Sequence, residues 1–410
     1  MNIRKITIFI YLPNETVAVP AGIFTHDDGL RIGTFAYGRK YIERDNVLPV
    51  DPVSLSLSSR PYEVLINGGI YGAFRDASPD YWGRMVISAQ LKAPPEALSE
   101  IDYLLASNAT RVGNLDFRHS PDDPEPALQP PHYNQLAEII EAAAGIEAGQ
   151  LADAHLLQLL RQGSSMGGAR PKCTVEWNDA LWIAKFSARG DSLNIPRIEY
   201  ATMSLARLCG IEIPEIAIIT VGDQDIFLVR RFDRERTAAG WFRRGFLSGL
   251  SFMQWDEMDR PRWDYPAMAD SMRRSMAVRD IQELYRRMVF NILVRNTDDH
   301  PRNHGFLVNS AAEIALSPAY DIVPTPTLAG VGSEFRLAMS IGGQGREATI
   351  DNALSHAGRF GLSDKEARAV VGHLGAIVCT WRDHFERCGV SGHDFDLLAP
   401  SFARCIDSKG

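Results

Sequence analysis

The alternation of apolar and polar residues divides the chain into a β-rich beginning and a helical end. Up to about residue 95, short apolar runs such as residues 6–12 and 33–37 are separated by Gly, Pro and Asp, a pattern typical of strands joined by turns. From about residue 245, apolar residues recur at the 3.6-residue period of an amphipathic helix. The clearest helical face comprises Ile281, Leu284, Tyr285, Met288, Val289, Ile292 and Leu293.

The segment between these portions alternates helices and strands. It begins at residues 119–132 with a polar stretch that contains five prolines, which predicts a linker. Two helical segments are predicted at residues 133–144 and 153–161. Two hairpins, turning at Asn178-Asp179 and Gly222-Asp223, then flank a helix predicted at residues 198–209. This order predicts a small mixed lobe.

These patterns predict an α+β protein with two lobes and an additional N-terminal part. We expect a β-rich subdomain at residues 1–118, the proline-rich linker at 119–132, a small mixed lobe at 133–235 and a helical lobe at 236–410. The last long helix should begin at the capping box formed by Ser363 and Glu366 and run to about residue 385. A cleft between two lobes is a natural ligand site.

Composition and charge restrict the class of protein. The 410 residues are 45% hydrophobic and 23% charged, as in ordinary globular domains. A net charge of -8 argues against a broad basic face for nucleic acid. The five cysteines are scattered and form no C-x-x-C pair, which favours reduced thiols.

The apolar run at residues 6–12 is too short for a signal peptide. No apolar run in the sequence approaches the ~20 residues of a membrane helix. We therefore expect a cytoplasmic protein with no membrane contact.

The spacing of two polar residues in a loop after the amphipathic helix indicates chemistry. Asp298 and Asn303 are five residues apart, the spacing of the Asp-x-x-x-x-Asn catalytic loop of protein kinases. In such a loop the Asp accepts the proton of the attacking hydroxyl and the Asn binds a metal ion. Acidic and amide residues also favour loops for turn chemistry alone, so the pair needs support from other residues.

A lysine at the end of a predicted strand offers that support. Lys185 ends the run Leu-Trp-Ile-Ala-Lys and is similar to the strand lysine with which kinases neutralise nucleotide phosphates. Glu199 follows in the next helix, where a kinase has the glutamate that pairs with this lysine. Arg197 is a competing partner for Glu199. Alternatively, Lys185 is a strand-end lysine that reaches solvent.

Two further segments have both a chemical and a structural interpretation. The Gly/Ser-rich residues 163–172 could bring backbone N–H groups close to a phosphate, but they match no standard phosphate-loop pattern and could equally form a turn. Asp321 follows Asn303 by eighteen residues, where a kinase has its second metal-binding carboxylate, although a turn aspartate would look the same. His300 and His304 could form a zinc pair, but no third ligand is evident.

Seven motifs together resemble one family. They are ASPDYWGR at residues 77–84, SMGGARPK at 165–172, WIAK at 182–185, PRIEY at 196–200, RFDR at 231–234, NTDDHPRN at 296–303 and SPAYD at 317–321. In this order they are similar to the HipA family, the serine/threonine kinase toxins of bacterial type II toxin–antitoxin pairs. The resemblance covers nearly the whole chain and implies a protein-kinase-like fold, with a nucleotide-binding small lobe and a catalytic helical lobe.

The resemblance also implies roles for individual residues. Asp298 would orient the substrate hydroxyl, Asn303 and Asp321 would bind Mg²⁺, and Lys185 would contact the phosphates of ATP. Ser165 would be the serine that the enzyme phosphorylates on itself, with Ser164 as the alternative. The implied contacts to ATP are Ser165, Met166, Gly167, Gly168, Ala169, Lys185, Val229, Arg231, Phe232, Asp233, His300, Asn303 and Asp321. Among these, Phe232 would lie against the adenine and Asp233 near the ribose.

The implied partner is a HipB-like helix-turn-helix antitoxin, which would carry the kinase to operator DNA and so explain how an acidic chain can be held there. The implied substrate is a protein, for which an aminoacyl-tRNA synthetase or another translation factor is a candidate. Two other functions stay open at the level of sequence. The chain could be a catalytically idle co-repressor scaffold, or a kinase of small molecules that shares the same site.

Overall fold

The N-terminal part is built on an antiparallel sheet. The protein is described by a computed structural model that covers residues 3–149, 154–163, 170–310, 313–326 and 335–402, with side chains omitted at 154 and 161–163. The sheet has the order β4-β3-β2-β1-β5, and in its strand at residues 32–37 every second residue, including Phe35 and Tyr37, is buried, as the two-residue period of a strand requires. Its elements are β1 (Ile3–Ile10), β2 (Val19–Asp27), β3 (Ile32–Tyr37), α1 (Arg39–Ile42), β4 (Tyr62–Val64), α2 (Gly72–Asp76), α3 (Tyr81–Leu91), α4 (Glu100–Ala106) and β5 (Leu115–Arg118).

The helix α3 corrects the expectation that the first 95 residues form β-type structure. Trp82 and Val86 are buried one helical turn apart, and Ile87 is buried beside them, so the apolar residues follow a helical period. Trp82 and Val86 pack into the core of the small lobe rather than into the N-terminal sheet. The N-terminal part therefore reaches the small lobe through this helix.

The small lobe contains the four-stranded antiparallel sheet β6-β7-β9-β8. Its elements are α5 (Leu136–Glu147), α6 (Ala154–Gly163), β6 (Lys172–Trp177), β7 (Ala180–Lys185), α7 (Ile195–Leu208), β8 (Ile216–Val221) and β9 (Gln224–Arg230). Ile226 and Leu228 face α5 and α6, whereas Phe227 and Val229 face α7, because side chains alternate across a strand. Both predicted hairpins are confirmed by the pairs Trp177–Ala180 and Val221–Gln224.

The helical lobe begins with short strands and ends in helices. Its elements are β10 (Arg234–Thr237), β11 (Gly240–Arg243), β12 (Gly245–Ser248), α8 (Gly249–Phe252), α9 (Tyr265–Met272), α10 (Val278–Leu293), β13 (Gly305–Ser310), β14 (Glu313–Leu316), α11 (Ile350–Ser355), α12 (Asp364–Val378), α13 (Trp381–Arg387) and α14 (Gly392–Leu398). The predicted amphipathic face of α10 is buried. Within the described ranges, each helix is too short or too polar to cross a membrane.

The last predicted helix is two helices rather than one. The capping box is confirmed, since Ser363 accepts a hydrogen bond from the backbone of Glu366, whose side chain accepts one from the backbone of Ser363. The helix that starts there ends at Val378, however, and α13 begins at Trp381. The new direction lets Trp381 stack on Phe402, with ring centroids 4.3 Å apart. The expected single helix to residue 385 was therefore wrong.

A buried ion-pair cluster joins the segment between the lobes to the N-terminal part. Arg231 donates two hydrogen bonds to Asp233, at 2.9 and 2.7 Å. The same guanidinium donates to the carbonyls of Thr110 and Arg111. Asp233 also accepts from Arg234 at 2.8 Å and from the backbone N–H of Gly113 at 3.0 Å. We call Arg231, Asp233 and Arg234 the hinge cluster.

The hinge cluster leads to a stability prediction. Asp233→Ala should lower the free energy of unfolding by about 3–5 kcal/mol, because two buried guanidinium groups lose their carboxylate. Burial opposes ionisation of Asp233, but Arg231 and Arg234 outweigh it and hold the pKa of the carboxyl well below its usual range. The wild-type advantage should therefore be complete above about pH 4 and should diminish as the pH falls further.

Urea unfolding at pH 7 and at lower pH would measure this effect. Glu43→Ala is a suitable control, since the Arg39–Glu43 pair is 92% and 60% exposed and should contribute less than about 1 kcal/mol. Equal stability of Asp233→Ala and the wild type would contradict the structural role of the cluster.

Candidate functional site

The centre of the site is a lysine that contacts two carboxylates from different parts of the fold. The Nζ atom of Lys185 lies 2.6 Å from Oε1 of Glu199 and 2.7 Å from Oδ1 of Asp321. Glu199 and Asp321 are 14 and 136 residues away from Lys185 along the chain. The strand β7, the helix α7 and the segment after β14 therefore meet at one ammonium group.

Local sequence places the lysine and its glutamate. Lys185 is the last residue of β7, and Glu199 lies in the first turns of α7, which Asn194 caps by accepting a hydrogen bond from the backbone of Arg197. The side chain of Arg197 binds Asp225 at 2.6 and 2.7 Å. The expectation that Arg197 competes for Glu199 was therefore wrong, because Asp225 holds the guanidinium elsewhere.

Burial and charge act against each other at this centre. Burial disfavours the ammonium of Lys185, but Asp321 and Glu199 outweigh it and raise the pKa of the lysine. Burial also opposes ionisation of Asp321, yet Lys185 holds the pKa of this carboxyl well below its usual range. Glu199 is only 4% exposed, and burial raises its pKa although it shares the same lysine. Lys185 is therefore charged, and Asp321 is an ionised oxygen donor.

Asp321 has an unusual backbone conformation. Its φ is +60°, a left-handed value that few residues other than glycine adopt and that aspartate tolerates better than most. Tyr320, just before it, donates a hydrogen bond to the carbonyl of Arg302 at 2.8 Å. Tyr320 also lies near Phe232, with ring centroids 5.9 Å apart. The turn thus presents the Asp321 carboxylate to Lys185 while its neighbour contacts the loop that carries Asn303.

The loop at residues 298–303 lies beside this centre. Asn303 and Asp321 line the same small cavity. The side-chain amide of Asn303 donates to the carbonyl of Asp298 at 3.0 Å, and the backbone N–H of His300 donates to the same carbonyl at 2.9 Å. The Asp298 side chain is exposed. The structure therefore brings Lys185, Asn303 and Asp321 together, whereas Asp298 is exposed to solvent.

Three buried polar side chains, of Tyr265, Asp299 and His304, contact one another at this loop. His304 lies 2.8 Å from Asp299, and the hydroxyl of Tyr265 lies 3.1 Å from His304 and donates to Asp299. Asp299 and His304 are almost completely buried. His304 is thus used in the interior, while His300 lies close to Asp321. In the part of the chain that the structure describes, no three His, Cys, Asp or Glu residues are arranged to hold a metal ion together.

A second lysine belongs to the site, although the sequence analysis gave it no role. Lys172 pairs directly with Lys185 across the β6–β7 hairpin, so both side chains lie on the same face of the sheet. Burial lowers the pKa of Lys172, and Asp321 is the largest influence that opposes this shift. A two-residue turn fixes the pairing of every residue in a hairpin. The turn at Asn178-Asp179 could therefore have revealed the pair from the sequence.

The predicted nucleotide contacts other than Lys185, His300, Asn303 and Asp321 fall into three groups. Phe232 is half-buried beside Tyr320, the residue before Asp321, and Val229 is buried in β9; their contact with a nucleotide stays a prediction. The side chains of Arg231 and Asp233 are enclosed in the hinge cluster, and a contact of these two residues with a nucleotide stays a prediction. Ser165, Met166, Gly167, Gly168 and Ala169 lie outside the described residues.

The donor set at the centre is suited to a hard divalent cation and to phosphate groups. Asn303 offers an amide oxygen and Asp321 offers carboxylate oxygens, the ligand types that Mg²⁺ prefers. Lys185 and Lys172 place two ammonium groups close to these oxygens, where phosphates bridged to such an ion would lie. The residues present therefore fit a magnesium–nucleotide complex.

Comparison with known proteins gives a family match. The model of the HipA-like C-terminal domain matches residues 164–381, just over half of the chain. A protein of Sinorhizobium fredii named "Putative kinase Y4dM" is 26% identical over 208 residues. This alignment covers 48% of the present chain and 49% of that protein, so the match spans about half the length of the relative.

Solved structures extend the likeness to the whole fold. HipA of Shewanella oneidensis MR-1, determined in a complex with HipB and its operator DNA, has a TM-score of 0.68 and 15% identity. The superposition covers 98% of this chain and 97% of that one, which confirms the predicted bilobed, kinase-like α+β architecture. A second solved structure, the Helicobacter pylori proinflammatory kinase CtkA, superposes over 60% of this chain and 94% of that one, with a TM-score of 0.37 and 14% identity.

The two lysines should differ in their effect on stability. Lys185→Met leaves the buried Glu199 without its cation and should lower the free energy of unfolding by about 3 kcal/mol. Lys172→Met removes a charge that burial disfavours, so this variant should be within about 1 kcal/mol of the wild type or more stable. Urea unfolding of both variants at pH 7 measures the difference. An equal fall in the free energy of unfolding of both variants would contradict the predicted difference between the two lysines.

Proposed function

The chain belongs to the HipA-like C-terminal domain family, and on this basis we propose that it is a serine/threonine protein kinase that uses Mg²⁺ and ATP. The observation that carries the proposal is the contact of Lys185 with both Glu199 and Asp321, beside Asn303. A kinase needs a charged lysine held by a helix glutamate and a metal-binding carboxylate near the catalytic loop. These four side chains come from distant parts of the chain, so local structure alone does not explain their meeting.

Each residue has a distinct task in this proposal. Lys185 and Lys172 neutralise the phosphates, Asn303 and Asp321 hold Mg²⁺, and Phe232 packs against the adenine. The bound ion would neutralise charge on the transferred phosphoryl group. Asp298, which is exposed to solvent, orients the substrate hydroxyl and accepts its proton. The buried contacts of Asp299 and His304 hold the loop in place, which limits the reorganisation that the reaction requires.

Regulation and partners follow from the family. We propose a HipB-like antitoxin as the protein that restrains this kinase and brings it to operator DNA, because the related HipA of similar fold was solved with HipB and DNA. The substrate in this proposal is a protein hydroxyl, with an aminoacyl-tRNA synthetase or another translation factor as a candidate. An acidic chain with a net charge of -8 would approach DNA through the basic surface of such a partner.

Asp298→Asn should abolish phosphoryl transfer and leave Mg-ATP binding unchanged. The substitution removes the proton acceptor, a loss of at least about a hundredfold in rate, and the exposed position predicts an intact fold. Transfer of radiolabel from ATP to the protein itself and to proteins of a cell extract would measure the rate. Asp364→Asn is the control, since this carboxylate is 70% exposed on α12.

Three outcomes would contradict this function. Unchanged transfer by Asp298→Asn would remove Asp298 from the mechanism. A wild-type protein that binds no Mg-ATP in a calorimetric titration would be an idle co-repressor scaffold. Label that appears only in small molecules of the extract would indicate a small-molecule kinase.

Ser165→Ala should prevent self-phosphorylation and preserve ATP binding. In the proposal, a phosphate on Ser165 would add about two negative charges to the loop whose amides receive ATP phosphates, and so would inactivate the kinase by repulsion. Mass spectrometry after incubation with Mg-ATP identifies the modified residue. Ser164→Ala is the matched control and should retain self-phosphorylation. Phosphate found only on Ser164 or elsewhere would contradict the assignment.

A further inference from the structure

The N-terminal part makes a direct ion pair with the proposed catalytic loop. Oδ1 of Asp80 lies 2.6 Å from Nη1 of Arg302, across 222 positions of the chain. Arg302 also pairs with Glu257 at 2.8 Å. The arginine immediately before Asn303 is therefore held by a carboxylate of the N-terminal part.

The position of Asp80 in its own helix makes this contact informative. Asp80 is the N-cap residue of α3, yet its side chain makes no capping hydrogen bond. An N-cap aspartate normally accepts a hydrogen bond from its own helix, a contribution of about 1 kcal/mol. Here the carboxylate binds Arg302 of the helical lobe instead, and α3 has no side-chain cap from Asp80.

The same turn of helix also contacts the small lobe. Trp82 is 1% exposed, and its indole N–H donates to the carbonyl of Lys172 at 2.9 Å. Within three residues, the start of α3 therefore binds the strand that carries one proposed phosphate lysine and the loop that carries Asn303.

The Asp80–Arg302 ion pair is linked to the backbone beside both proposed metal ligands. Arg302 adjoins Asn303 in the chain, and its carbonyl accepts the hydrogen bond from Tyr320, which adjoins Asp321. A shift of Arg302 would thus move the backbone next to each ligand. Displacements of about 1 Å in a catalytic arrangement can cost about a hundredfold in rate.

We propose that the start of α3, through Asp80 and Trp82, is an interlobe tether, and that Asp80 is a positioning residue for phosphoryl transfer. The tether deepens the function proposed above and rests on it for its catalytic readout. The N-terminal part would then be required for the chemistry, because it sets the distance between the phosphate lysines and the loop at residues 298–303.

The test compares Asp80→Asn with Glu100→Gln in the full-length chain. Asn keeps the N-cap preference but removes the charge, so kcat for self-phosphorylation should fall about tenfold or more, while the KM for ATP stays within about twofold. Glu100, the first residue of α4, pairs with Arg84 of α3 at 2.6 Å. The side chains of this pair are 25% and 26% exposed, close to the 25% and 23% of Asp80 and Arg302. Glu100→Gln should therefore lower the free energy of unfolding about as much as Asp80→Asn does, but it should not lower kcat. Asp80→Glu, which restores the charge, should recover part of the rate.

Hydrogen exchange gives a readout that does not depend on activity. The amides of residues 298–304 should exchange faster in Asp80→Asn than in the wild type or Glu100→Gln, because local opening of the loop becomes easier. Equal exchange in the two variants, or an equal fall of kcat in both, would overturn the tether. If the wild type transfers no phosphate, the proposed function fails, and the exchange comparison alone supports or overturns the tether.

Discussion

The site depends on one ammonium group shared by two carboxylates. Lys185 lies on the small-lobe sheet, and Asp321 lies after the last strand of the helical lobe, 2.7 Å away. A buried charge is costly unless it is paired, so this contact fixes how closely the two lobes approach. Glu199 completes the pairing from α7. The geometry that would hold a magnesium nucleotide is therefore present in the protein itself, since the opposite charges already determine where the oxygen donors lie.

The N-terminal part contacts both lobes and the segment between them. In a simple two-lobed arrangement, the connecting segment alone would determine how the lobes are aligned. Its loop at residues 110–113 binds the hinge cluster, and the start of α3 binds both lobes. The apolar core reflects the same organisation, because residues of the N-terminal sheet, of α7 and of α10 belong to one buried cluster. A movement of the lobes relative to the N-terminal part would have to break the hydrogen bonds of Arg231 to the carbonyls of Thr110 and Arg111 and the ion pair of Asp80 with Arg302.

The sequence was informative wherever structure is determined locally. Hairpins at Asn178-Asp179 and Gly222-Asp223 were predictable because two-residue turns have strict residue preferences, and α10 was predictable from its 3.6-residue period. The break after Val378 and the ion pairs of Asp233 were not, since they depend on contacts with residues far along the chain. Asp233 illustrates the limit. Its motif suggested a ligand contact, whereas residues 110–113, some 120 positions earlier, give it a buried structural partner.

The second lysine gives an independent argument for function. Burial lowers the pKa of the Lys172 ammonium, so the charged form of this lysine is disfavoured at its position. Lys172 nevertheless stands opposite Lys185 and close to Asp321. Two adjacent ammonium groups repel each other, so negative charge that enters the cleft beside them is stabilised. Polyphosphate is such a charge, and perturbed titratable groups gathered in one cleft are a recognised mark of functional sites.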